Sequence, residues 1–552
     1  MDVIVASPYG LGKAHKDKDY AEARALENEL FPIFCNILNI HHNMQRDARF
    51  WRILLGHWFT RYVDVMLNRV KTLESCLNTY ELSGTSVFSD SYLSAPINSY
   101  AAIWAFNDDQ WNNVLYARIL KLLGIKSNLV EIVVGNKSEG FHLDFAAPKI
   151  SYKKRALKCG YKLLSKFLEL WVRENDALII NSYLPKKEQI KLELALGQVP
   201  QLRNSNEIKM SKKPDYALRQ VLCSQLNNES NQSLLSILST MVFELLPVCY
   251  LEGFEELNKT TEQLSWPRNP KFIFTSNDFD TDEVFKLWTA KKVDLGIPYF
   301  VGQHGNYGVT SYALDPSVEE TTSDKFLTWG WRDGLPQHTA AFIFKTVGSK
   351  AVDYDNNGGL LLIELCQNLP ITCWDGNYEF SAYFEDQKNF VNKLSNKIRK
   401  EMTIRLHSAY RHLKWDEESR WREFDSDVKL STGDLAIGQL ISQSRLVVHS
   451  YDSTGILETL SQNIPTLAFW QNGFDHLRDS AKPYYQLLVD AGIIHLSAES
   501  VANKVNTIWD DVDAWWSDSS VQNARKLFCD RYARVSQKPI SELKSILMDN
   551  CN

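Results

Sequence analysis

At 552 residues, with 44% hydrophobic, 12% aromatic and 23% charged content, the chain is long enough for two or three domains and too apolar for extended disorder. Its net charge of −6, with basic residues scattered along the chain, carries no footprint of a dedicated nucleic-acid binder. Nine cysteines without a CxxC pair fit neither a disulfide framework nor a zinc site, and there is no signal-like start and no run of ~18 apolar residues, so the expected location is cytoplasmic, with peripheral contact at the inner membrane left open.

The region 15–125 reads as helical. In "ARFWRILLGHWFTRYVDVML", Trp51, Leu54, Leu55 and Trp58 share one helical stripe, a core pattern, while Arg52, His57 and Arg61 fall off it and suit a rim. From about residue 129 short apolar runs alternate with amphipathic stretches: "LVEIVVG", "ALIINSY", "KFIFTS", "IPYFVG" and "KFLTWG". Such alternation predicts parallel strands joined by helical crossovers. "GSKAVDYDNNGG" at 348–359 reads as a linker. The alternation then restarts with "LLLIEL", "MTIRLH", "RLVVHS", "PTLAFW" and "GIIHL", and two helical segments close the chain. The fold class is α/β, with a first domain over 1–347 and a second over 360–552. The basic stretches "YKKRALK" (152–158) and "MSKKP" (210–214) read as solvated faces that also suit anionic lipid or an acidic glycan.

In doubly wound sheets ligands collect beyond the carboxyl ends of the strands, so chemistry belongs in the loops after these runs. The clearest such unit, "RLVVHSYDSTGILETLSQNIPTLAFW" (445–470), reads strand, turn, helix, strand. Free amides near Ser453, Thr454 and Gly455 would receive a phosphate group, Glu458 one turn later would accept from ribose hydroxyls, and Gly455 would allow close approach. The unit is neither a Walker loop nor a GxGxxG fingerprint. Arg405, ending a strand in "TIRLH", would pair with a phosphate or form a structural ion pair.

The first half offers "NDFDTDEVFKLW". Its three aspartates lack the glycine and glutamate of a calcium loop, and no metal is assigned. Asp280 with Glu283 has the spacing of a capping box, which leaves Asp282 in the first helical turn as an ionised carboxylate able to act as nucleophile or base, with Asp278 a loop alternative. One strand further on, "YFVGQHGNYG" places His304 on the same sheet edge, either for proton transfer or as a residue that shapes its turn.

The stretches "FTSNDFDTDEVFKLW", "GIPYFVGQHGNYG", "SDKFLTWGW", "HSYDSTGILETLSQNIPTLAFW" and "FWRILLGHW" resemble the bacterial LIC12162-type transferases associated with surface-polysaccharide loci, over nearly the whole chain. More distantly, the two-half layout and the "QHG" turn resemble GT-B glycosyltransferases of capsule and O-antigen assembly, including retaining β-Kdo transferases that use CMP-Kdo. The resemblance implies two Rossmann-like domains with a helical N-terminal region and C-terminal helices. It implies a nucleotide-sugar donor as substrate, no further cofactor, and a lipid-linked or oligosaccharide acceptor on the first half. The roles it implies are nucleophile or base for Asp282, or alternatively Asp278 or Asp280, assistance by His304, and nucleotide binding by Ser453, Thr454 and Glu458.

Overall fold

Asp47 starts the longest helix, Ala48–Thr79, by accepting a hydrogen bond from the Phe50 amide at 2.8 Å. The apolar stripe of that helix is buried as its spacing requires: Trp51, Leu54, Leu55 and Trp58 all lie in the main core, packed by helices Lys13–His41 and Leu234–Leu245. The computed structural model describes residues 6, 9–81, 83–125, 128–132, 165, 167–201, 203, 210–226, 233–306, 308–311, 316–349, 354–366, 371–374, 380–411, 413, 415–433 and 435–549. The basic stretch 152–158 and part of the linker, 350–353, lie outside them.

Two parallel sheets organise the rest. The first holds β3 (Leu178–Ile179), β4 (Ile273–Thr275), β5 (Tyr299–Gly302), β6 (Lys325–Thr328) and β7 (His338–Ala340) in sequential order. The second holds β8 (Gly359–Ile363), β9 (Met402–Arg405), β10 (Lys429–Ser431), β11 (Ser444–His449), β12 (Thr466–Phe469) and β13 (Ile494–His495), in the order β10-β9-β8-β11-β12-β13. The order reverses between β8 and β11, which makes that crevice the topological switch point. This is the two-domain, Rossmann-like α/β layout expected above.

Four details differ from the sequence reading. The run "LVEIVVG" supplies β2 (Asn128–Ile132), but among the described residues it pairs with β1 (Gly84–Phe88), a strand inside the region expected to be helical, in a separate two-stranded sheet. Its Val130 and Ile132 are exposed, so a buried sheet has no use for this strand. Strands β7 and β10, of three residues each, are too short to leave a periodic signal. The linker stretch ends early, because Gly359 already opens β8.

The last difference concerns the end of the chain. Helix Pro539–Met548 crosses back to the first half, where Leu543 and Leu547 are buried against Phe272, Phe274 and Phe300. Lys325 of β6 donates to the Ile546 carbonyl at 2.7 Å, and Lys544 to the Ala195 carbonyl at 2.7 Å. The core of the first sheet is therefore completed by residues from beyond the second. Leu543→Ala should cost about 3 kcal/mol, a cavity-scale loss, as read from urea unfolding. An unchanged midpoint would contradict this packing.

Candidate active site

The chain turns sharply after β4. Thr275 Oγ1 accepts from the amides of Asn277 (3.3 Å) and Asp278 (3.1 Å), a single helical turn Asp278–Thr281 follows, and helix Glu283–Val293 then begins. The cap of that helix is Asp282, whose Oδ1 accepts from the Phe285 amide at 2.9 Å. This corrects the capping box expected of Asp280 and Glu283. Glu283 is engaged elsewhere: its carboxylate accepts from the Ser99 amide (2.9 Å) and from Lys286 Nζ (2.9 Å), all buried. Asp282 is thus buried as a helix cap, and Asp278 is buried with Oδ1 accepting from Asn181 Nδ2 at 2.8 Å.

Asp280 is the aspartate left at the cleft. Arg61 grips it with two bonds, Nη1 to Oδ1 at 2.5 Å and Nη2 to Oδ2 at 2.9 Å, the fork geometry that suits guanidinium and carboxylate. Lys286 Nζ donates to its backbone carbonyl at 2.9 Å. Burial works against its charge, but the adjacent Arg61 holds the carboxyl well below the usual range, so Asp280 is an anion. The three aspartates consequently have three different surroundings, and Asp280 stands beside two histidines.

Those histidines flank Phe279. The His57 ring stacks on it at 5.2 Å, and the His304 ring meets it edge-on at 5.7 Å. Burial lowers His304 to about 4 and His57 to about 3, against the partial support of the Asp280 charge, so both rings are neutral at neutral pH. His57 and Arg61 are four residues apart on helix Ala48–Thr79, which puts these two of the three off-stripe residues on one face, directed at this cleft, while Arg52 pairs with Glu27.

The loop carrying His304 has a reason for each residue. Gln303, buried after β5, accepts at Oε1 from the Trp329 amide and Trp331 Nε1, both at 2.8 Å, and donates to the Gly305 carbonyl at 2.9 Å. At Gly305 a Cβ would stand 2.6 Å from Thr454 Oγ1, so a larger residue would displace that hydroxyl. Asn306 donates its amide to Thr454 Oγ1 (3.0 Å) and its Nδ2 to Asp452 Oδ1 (2.8 Å). Arg478 of the second half then holds the loop from behind, donating to the carbonyls of Thr310 and Gly308 at 2.8 and 2.6 Å.

The loop after β5 therefore meets the start of helix Thr454–Ser461, which follows β11 at the switch point. Gly455 lies against the His449 ring, where a Cβ would come within 2.7 Å of Cε1, and Ser453 Oγ is 3.2 Å from His449 Nδ1. Glu458 pairs with Lys345 of the first half at 3.1 Å, and Lys345 also lies over the Tyr183 ring at 5.0 Å. Asp280, His304, Thr454 and Glu458 thus come together across one cleft.

Arg405 does not join them. Its strand β9 is two places from β11, roughly 10 Å at the usual strand spacing, and its Nη1 donates to the Leu406 carbonyl at 2.6 Å. The guanidinium folds over its own strand end, away from the other candidate residues. The cation that does reach the cleft, Lys345, had no motif around it in the sequence. Asn181 and Tyr183, both at positive φ (45° and 61°), were equally silent except as an "NSY" strand end.

Two parallel sheets meeting at their strand ends, with a charged pair and neutral imidazoles on one side and a helix start on the other, define a two-domain α/β enzyme. The chain belongs to the LIC12162 family of transferases, whose model matches residues 5–547. No curated protein matches the sequence. Among solved structures, a spinosyn rhamnosyltransferase with bound spinosyn aglycone is similar at 12% identity, covering 53% of this chain and 77% of that one, with a TM-score of 0.31. MurG of Acinetobacter baumannii is similar at 10% identity over 54% and 78%, TM-score 0.32, and HepE of Anabaena with UDP and glucose at 10% over 57% and 88%, TM-score 0.34.

The lowered titration of His304 has a measurable sign. Its ordinary value, 6.5, governs the unfolded chain, so its neutral burial contributes stability above that pH which is lost as pH falls toward 4. A His304→Gln variant lacks this dependence. The stability gap between wild type and variant, from urea titrations, should narrow by about 2 kcal/mol between pH 7 and pH 4. A gap independent of pH would contradict a neutral buried imidazole.

Proposed function

We propose that the chain is a glycosyltransferase that moves a sugar from a nucleotide donor onto a bacterial surface polysaccharide, O-antigen or capsule, working at the cytoplasmic side of the inner membrane. The observation that carries this reading is the meeting of Asp280, Arg61 and His304 with Thr454 and Glu458 at the opposed strand ends of two sheets. His304, neutral and half-buried, is suited to accept the proton of an acceptor hydroxyl. The Asp280 anion stabilises the imidazolium that results, and Arg61 keeps that carboxylate charged and oriented.

On the second half, the amides at the start of helix Thr454–Ser461 face a leaving phosphate, and Glu458 accepts from ribose hydroxyls. Lys345 supplies the positive charge earlier assigned to Arg405, exchanging its Glu458 partner for phosphate when the donor enters. The resemblance to β-Kdo transferases supports an ulosonic acid such as Kdo on a CMP donor, with no cofactor beyond the donor.

Asp280→Asn and His304→Gln should each lower kcat by about a hundredfold or more in an acceptor assay, while Glu458→Gln and Lys345→Met chiefly raise the donor KM. Full turnover in both of the first two variants would overturn the assignment. Thermal-shift titration with CMP, CDP, UDP and GDP should favour CMP. Preference for UDP or GDP would sink the Kdo donor, and preference for CDP would point to polyol phosphate transfer on the same fold.

A further inference from the structure

At the other edge of the first sheet lies a cavity of about 700 Å³ that the transfer reaction does not use. Its walls are segments that lead into strands: 169–174 before β3, 261–268 before β4 and 291–295 before β5. Asp280 and His304 follow β4 and β5, so in a parallel sheet the cavity and the cleft are on opposite edges.

Two features of this face stand together. Five cations line the cavity against three carboxylates, and only Arg46, paired with Asp294 at 2.8 Å, has a carboxylate within 4.0 Å among the described residues. Lys292 donates to the Arg268 carbonyl at 2.6 Å and Lys291 to Thr261 Oγ1 at 2.8 Å, which fixes both ammonium groups without neutralising them. Around this charge, large apolar side chains point into solvent. The two most exposed large apolar residues among the described residues, Leu170 and Leu295, belong to segments that build the cavity wall, and Trp171 and Phe167 adjoin them, all between 58% and 79% exposed.

We propose that this face docks the protein on an anionic lipid surface, with Phe167, Leu170, Trp171 and Leu295 entering the interface and Arg173, Arg268, Lys291 and Lys292 meeting lipid phosphates. A basic ring with projecting apolar groups has no use in a soluble monomer, where contiguous exposed apolar surface is costly, and it matches both layers of a lipid interface. An acidic glycan would satisfy the cations alone. It would leave the outward-pointing leucines without a role, since the cavity's own aromatic rings, Trp266 and Trp288, pack edge-to-face on each other at 5.0 Å. Docking here turns the strand-end cleft away from the bilayer. Under the transferase reading above, on which this step rests, the acceptor is then a lipid-linked glycan extended beyond its anchor.

Co-sedimentation of the full chain with phosphatidylcholine vesicles, with and without phosphatidylglycerol, tests the proposal. Binding is expected to the anionic vesicles, weakening as salt rises. Leu170→Ser with Trp171→Ser, and separately Arg173→Glu with Arg268→Glu, should each reduce partitioning about tenfold or more at unchanged thermal stability, because every altered residue is exposed. Equal partitioning of wild type and both double variants would overturn the proposal. So would absence of binding to anionic vesicles, or loss of concentration-dependent self-association in the variants, which would make the face a contact between two copies. Turnover on a soluble acceptor is a separate readout: double variants that lose vesicles but keep turnover support the docking face, and nucleotide-binding failure leaves vesicle binding untouched.

Discussion

The contact between Gly305 and Thr454 decides the arrangement of everything near the cleft. A hydroxyl on the first residue of one helix accepts from the Asn306 amide, and a side chain on the preceding Gly305 would push that hydroxyl away. Because the same loop carries His304, the imidazole position is set by the second half as much as by the strand that delivers it. Asp452 extends the joint by accepting from Asn306 and from the Tyr485 hydroxyl at 2.9 Å. Polar groups that are buried this completely hold a geometry closely, since leaving any one unpaired costs ~1–3 kcal/mol.

Beneath the cleft, a second polar cluster fixes Asp280. Lys286 and Glu283 are buried as an ion pair, joined by the Tyr250 hydroxyl, which donates to Glu283, and by Ser99. Such a pair is weak as a source of stability, yet removing one member leaves an uncompensated charge and costs ~3–5 kcal/mol. Its value here is geometric. Lys286 also grips the Asp280 carbonyl, so the backbone of the single helical turn is pinned from below while Arg61 holds its carboxylate from above.

Much of this was legible in the sequence where a periodic or punctuated pattern existed. The buried stripe of helix Ala48–Thr79, most strands of both sheets and the linker's place between them follow from apolar spacing. The aspartate loop, with Asp282 as its leading candidate, and His304 were singled out because strand-end loops gather chemistry, and "QHG" marked a turn. The choice among the three aspartates was not legible, because it depended on Glu283 being drawn away by Ser99 and Lys286, a contact between residues 184 positions apart. Lys345 was missed for a related reason: it lies in a turn beyond β7 with no motif around it, and spacing does not say which way a long flexible side chain turns.

The return of helix Pro539–Met548 to the first sheet also has a meaning for the order in which the molecule is made. Residues 539–548 leave the ribosome only after all of the second sheet, so the surface of Phe272, Phe274 and Phe300 stays uncovered throughout synthesis of the intervening chain. The two sheets are separate in architecture and joined in biogenesis, and the first cannot reach its final packing ahead of the second.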